Sequence, residues 1–261
     1  MSFKSKMLAA AATLTLVGGL GTAGVLGAAT ASAATPSCGD ACINIFNKDF
    51  GPGFTVDVYR QGSKVGQPVI LFKTSNSDPA LDFSLSFQGV TSDLCAVGLV
   101  SALTCLHYGG AGHFLTSARF CPDGTPNTTG VCATPDLGAF EVEYAPFGVD
   151  SGLCAGVAAT ASQNENVSLQ PCGVSGKTIW LVDDQVNVTG AYTPLINGSN
   201  TNFSHPFVLT YPNNGYPTDK PRPQLQVRNL TGFTNPANFN FPVISSVDSN
   251  QLWGATFGVL R

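Results

Sequence analysis

Charge is scarce in this chain: Asp, Glu, Lys and Arg make up 11% of its 261 residues, and acids outnumber bases by 16 to 12. A nucleic-acid partner calls for a basic face, so none is expected. Histidine is scarcer still, with His107, His113 and His205 alone. No two cysteines have the Cys-x-x-Cys spacing, so there is no zinc framework and no metal is expected. The phosphate-cradling pattern Gly-x-x-x-x-Gly-Lys-Ser/Thr is absent as well, and no cofactor is expected.

Hydrolytic signatures are missing too. Gly173, Ser175 and Gly176 do not have the Gly-x-Ser-x-Gly spacing, and they precede a strand instead of a helix. Asp183 and Asp184 are adjacent, so along a strand they point to opposite faces, whereas a hydrolytic pair must face one another. Glu141 and Glu143 do share a face, and a solvated strand face accounts for them. The chain is therefore expected not to be an enzyme.

A long uncharged run dominated by small and apolar residues lies at the N-terminus. Lys4 and Lys6 open it, Ala, Leu, Val, Gly and Thr dominate from Met7 to about Ala29, and Ala31-Ser32-Ala33 closes it. That order reads as a cleaved secretory signal peptide over residues 1–33. The alternative, a membrane anchor, fits poorly. The run is diluted by Gly and Thr and has no basic stop-transfer cluster after it. The mature chain, residues 34–261, is then expected outside the cell and off the membrane. Loss of Lys4 and Lys6 takes its net charge from −4 to −6.

What the chain has in plenty is turn residues, with 29 Gly and 17 Pro. Combined with Val, Phe, Thr and Asn, they predict an all-β protein of short strands in one domain. Eight cysteines follow the signal: Cys38, Cys42, Cys95, Cys105, Cys121, Cys132, Cys154 and Cys172. An even number in an exported chain predicts disulfides. Sequential pairing is the simplest arrangement, but spacing does not fix connectivity. Asn-x-Ser/Thr sequons occur at Asn127, Asn166, Asn187, Asn197, Asn202 and Asn229, and matter only where the host glycosylates.

A threefold repeat organises the strands. The runs Phe54–Tyr59, Gln67–Phe72 and Asp82–Ser86 return as Leu153–Val157, Asn166–Gln170 and Thr178–Val182. They return again as Phe207–Tyr211, Gln224–Arg228 and Gln251–Gly254. One more strand precedes each set, at Cys42–Phe46, Phe140–Tyr144 and Val188–Tyr192. Four strands repeated three times predict a β-trefoil, because one such unit cannot bury its apolar face alone. Phe83, Trp180 and Trp253 take equivalent places and are expected in the core. Residues 89–138, with four cysteines and an apolar stretch from Leu94 to Leu106, exceed any turn and read as an insertion. Cys95–Cys105 and Cys121–Cys132 would staple it under sequential pairing. Two Pro- and Asn-rich stretches of the third unit, Pro212–Pro223 and Phe233–Pro242, read as long surface loops.

With Ser151-Gly-Leu-Cys154, Val167–Cys172 and Ile179-Trp180 in the second unit, and Gln251-Leu-Trp253 in the third, the chain resembles the ricin-B-like lectins. The short basic start and low-charge domain resemble exported proteins of high-GC Gram-positive bacteria. The lectin resemblance implies a bridge between the first two strands of a repeat, here Cys154–Cys172. It also implies a sugar pocket built from an Asp on the first strand of the hairpin, an aromatic after the second, and nearby amides. The first unit offers Asp57 and Phe72, but has Ile70, Ala80 and Leu81 at the amide positions. The second has Gly156 and Gln170 in those places and reads as silent. The third has Leu209 for the Asp and Arg228 for the aromatic, but keeps Gln226, Asn250 and Gln251. The implied role is a secreted carbohydrate-binding module for glycans or cell-surface carbohydrate, with Asp57, Phe72, Gln226 and Asn250 as ligand residues. The alternative is a structural or protein-interaction protein that reuses the trefoil, with the 89–138 excursion as its distinguishing surface.

Overall fold

Alternating apolar residues fix the inner layer of the structure. In β2 (Phe54–Val58) and β3 (Val69–Lys73), Val56 faces Leu71 and Val58 faces Val69 across an antiparallel hairpin. The hairpin of β6 (Leu153–Val157) and β7 (Glu165–Pro171) repeats this with Ala155 facing Leu169 and Val157 facing Val167. In β10 (Phe207–Thr210) and β11 (Gln226–Asn229), Leu209 faces Val227. All of these side chains are buried in one apolar cluster. Burial of each is worth about 1.5–3 kcal/mol, and Ala155 contributes less.

The computed structural model describes residues 42–74, 83–90, 94, 99–100, 138–173, 175–182, 192–201, 205–232 and 247–257. All lie in one compact unit, Thr35–Arg261. The remaining strands are β1 (Cys42–Asn47), β4 (Phe83–Val90), β5 (Gly138–Tyr144), β8 (Ile179–Val182), β9 (Ile196–Asn197) and β12 (Trp253–Phe257). These six make a barrel: β1 pairs with β4, β4 with β5, β5 with β8, β8 with β9, and β12 with β1. Thr193 and Trp253 close the circuit by exchanging two backbone hydrogen bonds of 2.9 Å. The three hairpins cap one end, meeting at Pro68↔Ser168, Ile70↔Gln224 and Asn166↔Gln226. A six-stranded barrel closed by three symmetry-related hairpins is a β-trefoil.

Equivalent residues do equivalent work. The Trp180 indole N–H donates to the Ala155 carbonyl at 2.9 Å, and Trp253 donates to Leu209 at 2.8 Å. Phe83 shares the same core but has no N–H to offer. Asn47 and Asn197, both fully buried, close two of the units. Each accepts the backbone N–H two residues ahead and donates to a carbonyl of a neighbouring unit, Leu252 for Asn47 and Lys177 for Asn197.

Two expectations need correction. The first strand of the third unit lies at Ile196–Asn197, not Val188–Tyr192. Tyr192 is outside any strand, residues 188–191 lie outside the described residues, and Pro194 interrupts the ladder because it has no N–H to donate. The excursion also begins later than its composition suggests. Strands β4 and β5 stay paired down to Val90↔Gly138, so their ladder forms its base. Leu94 and Val100, just past that base, are buried against Ala139, Ile179, Leu181 and Val208. They cover the outer face of the barrel there. This is why the run Ile179-Trp-Leu-Val182 has no polar alternation: it is buried on both faces.

The Cys154–Cys172 disulfide is present and ties β6 to the end of β7. Cys42 is also disulfide-bonded. The proposed bridges Cys38–Cys42, Cys95–Cys105 and Cys121–Cys132 involve cysteines outside the described residues.

Candidate functional site

Strand pairing sets the outer face of each hairpin, because directly opposite residues in an antiparallel ladder project to the same side. In the first unit these are Thr55 with Phe72 and Asp57 with Ile70. In the second they are Cys154 with Gln170 and Gly156 with Ser168, and in the third Val208 with Arg228 and Thr210 with Gln226. The ladder therefore puts Thr210, not Leu209, at the position of Asp57. Leu209 faces the core beside Val56 and Ala155.

Asp57 and Phe72 do share a face, but that face is covered. Asp57 is 3% exposed. The antiparallel bridge Ile70↔Gln224 brings Arg222 opposite Phe72, and the guanidinium carbon lies 3.8 Å from the ring centroid. The arginine thus occupies a face of the aromatic platform that the resemblance implied for a sugar. Ala80 and Leu81 lie outside the described residues.

The second unit is blocked by backbone. A Cβ on Gly156 would stand 2.6 Å from the Lys177 carbonyl oxygen, so no Asp fits there. In the third unit Asn250 is buried and donates to the Tyr211 carbonyl at 2.8 Å. Gln251 donates to the Asn229 carbonyl at 2.8 Å and accepts from the Thr231 N–H at 2.8 Å. Both amides brace the fold. Gln226 is different: it stays partly exposed, donates to Asn166 at 3.0 Å and accepts from Arg228 at 2.9 Å.

Gln226 opens onto a cleft of about 630 Å³ between the β7–β11 junction and the loop that carries Asn214 to Gln224. Amides line one wall, at Asn166, Gln224 and Gln226, and Lys220 and Arg222 stand on the loop. The loop is anchored from behind. The Tyr211 hydroxyl donates to the Gly215 carbonyl at 2.7 Å, and Asp219 accepts from the Tyr216 N–H at 2.6 Å. Burial pushes the Tyr211 hydroxyl well above its ordinary value, so it remains a donor at any physiological pH. Phe50 packs edge-on to Tyr211 and Tyr216, at 4.8 and 5.3 Å, and fixes the loop from the barrel side. Sequence reading singled out Gln226 and the Pro-rich loop separately. The bridge that joins them is a tertiary contact with no local signal.

A second polar cluster sits on β5. Glu141 is 5% exposed, which corrects the expectation of a solvated face. Its carboxylate accepts from the Gly173 N–H at 2.7 Å and the Thr178 hydroxyl at 2.5 Å. One carboxylate oxygen and the two sulfurs of Cys154–Cys172 lie within 4.8 Å of one another, but both sulfurs are committed to the disulfide. Glu143 accepts from the Gly152 N–H at 2.5 Å. Burial raises its carboxyl above the ordinary value, Asp150 and Glu141 add to the rise, and the Gly152 bond opposes it. His205 offers its carbonyl to Asn229, and His107, His113, Asp183 and Asp184 lie outside the described residues.

No family model and no curated protein sequence matches the chain. Among solved structures it is similar to ThreeFoil, a designed threefold-symmetric protein, at 13% identity and a TM-score of 0.48, covering 83% of this chain and 99% of that one. It is similar to an agglutinin of Rhizoctonia solani at 13% identity and a TM-score of 0.44, covering 84% and 94%. A mosquitocidal holotoxin gives 10% identity and a TM-score of 0.45 over 83% of this chain, which spans 17% of the toxin's length. The trefoil assignment rests on the strand pairings above.

Proposed function

We propose that the chain is a secreted, non-catalytic carbohydrate-binding module, and that the saccharide binds in the cleft between the β7–β11 junction and the Asn214–Gln224 loop. The observation that supports this most is the wall formed by Asn166, Gln224 and Gln226, three amides brought together from two units. Amides donate and accept at once, which suits vicinal hydroxyl groups. The ring of Pro221 or Pro223 supplies an apolar surface beside them. The proposal moves the ligand away from Asp57, whose burial leaves little room for a hydroxyl.

A glycan array tests it with three proteins: the mature chain, Gln226→Ala and Asp57→Ala. Binding that Gln226→Ala abolishes, with Asp57→Ala still binding, is the expected result. An array on which the folded mature chain binds nothing ends the proposal, and loss confined to Asp57→Ala would return the site to the first unit.

A further inference from the structure

The cleft holds more than amides. Lys220 and Arg222 both line it, and Asp219 is the single acid among its described lining residues. Asp219 is already engaged, closing the turn at Tyr216. Among the described residues no carboxylate pairs with Lys220 or Arg222. The Arg222 Nε is buried and has no hydrogen-bond partner, and its guanidinium is held against the Phe72 ring. Stacking fixes a guanidinium without consuming its in-plane donors, so little freedom remains to be lost when an anion arrives. Lys220 adds a second cation two residues away.

We infer that the ligand is an acidic saccharide, one bearing a carboxylate that Arg222 and Lys220 receive while the amides of Asn166, Gln224 and Gln226 bond its hydroxyls. This rests on the saccharide reading above and specifies its chemical class. The geometry accounts for three things at once. An arginine stands on the aromatic platform, a polar cleft carries cations that no described carboxylate pairs, and the loop bearing them is braced by Tyr211 and Phe50. The mature chain is acidic overall, at net −6 without Lys4 and Lys6. That charge does not prevent local capture of an anion, since charges beyond about 8 Å are screened at physiological salt.

The test sets each acid against its own neutral form. Oligosaccharides ending in glucuronate, galacturonate or sialate are titrated calorimetrically into the mature chain beside their methyl esters, with the corresponding neutral sugars as a third arm. The acid is expected to bind about tenfold more tightly than its ester, one charge-assisted hydrogen bond's worth, and to weaken as salt rises. Arg222→Gln and Lys220→Gln, checked for an unchanged melting temperature, are expected to narrow the gap between acid and ester, with acid binding falling by more than ester binding. Should Arg222→Gln unfold the protein, Lys220→Gln alone carries the comparison. Equal binding of acids and esters, or of neutral sugars, overturns the acidic class and leaves the saccharide reading standing. Binding of sulfated but not carboxylated sugars also overturns it as stated. Silence across all three arms overturns both.

Discussion

Gly156 and Lys177 approach so closely that a single methyl group on the first would lie 2.6 Å from the carbonyl oxygen of the second. The Val157 N–H and the Asn197 amide also donate to that carbonyl, at 3.2 and 2.9 Å, so it has little freedom to retreat. Gly156→Ala is expected to cost about 1–3 kcal/mol of stability, the usual range for forcing volume into a packed site. Denaturant unfolding should show this as a lower midpoint with an unchanged slope. An unaltered midpoint would mean that the 177–178 backbone yields easily.

Trp180 and Trp253 should prove energetically alike. Replacing either with Phe removes an indole donor from a buried carbonyl, Ala155 in one case and Leu209 in the other. Each change is expected to cost about 1–3 kcal/mol, the penalty of an orphaned buried acceptor. Thermal melts of the two single variants check it. A large difference between them would show that the pseudo-threefold does not extend to the energetics.

Glu143 should make stability fall as pH rises. Its carboxyl is raised in the fold above its ordinary value of 4.5, chiefly by burial. Below the ordinary value it is protonated in both states and has no effect. Through the window between the ordinary and the raised value the folded state keeps the proton longer. Stability is therefore lost as pH climbs through that window, and the loss is complete above it. Glu143→Gln should flatten this part of the profile, read from melting temperatures taken from acid to neutral pH. A steeper fall in the variant would reverse the assignment.

The carboxylate of Glu141 should slow reduction of the neighbouring disulfide. Attack on Cys154–Cys172 releases a thiolate, and a carboxylate beside it raises the energy of that charge. Glu141→Gln is expected to speed reduction by dithiothreitol roughly threefold to tenfold, where tenfold corresponds to ~1.4 kcal/mol of relieved repulsion. Timed alkylation with mass spectrometry of the peptides carrying Cys154 and Cys172 reads the rate. A slower reaction would show that the carboxylate favours opening of the bridge.

The trefoil was legible because its signal is repeated. Val56, Ala155 and Leu209 each sit mid-strand between turn-rich segments, so each unit's pattern corroborates the others. Legibility failed where a unit departs from the pattern. Ile196–Asn197 is a strand of two residues after a proline, too short for any periodicity to register. One position of register separates Leu209 from Thr210, and one position exchanges the core for the outer face. The candidate site was half visible. Gln226 stood out by resemblance, whereas Arg222 did not, since its place over Phe72 depends on a bridge between strands far apart in sequence. Glu141 looked solvated for a similar reason: its cover, Gly173 and Thr178, comes from another part of the second unit.

The Val90↔Gly138 pair at the foot of the excursion has a further consequence. Chain entry and exit are neighbours on a ladder that the trefoil already owns, so the excursion is expected to be exchangeable as a cassette. A foreign segment could be spliced there without re-registering any of the twelve strands among the described residues. The splice has one requirement. Leu94 and Val100 form the sole of that cassette against Leu181 and Val208. A replacement that omitted them would leave a greasy patch on the barrel wall, and the graft would sooner associate with its own copies than stay monodisperse.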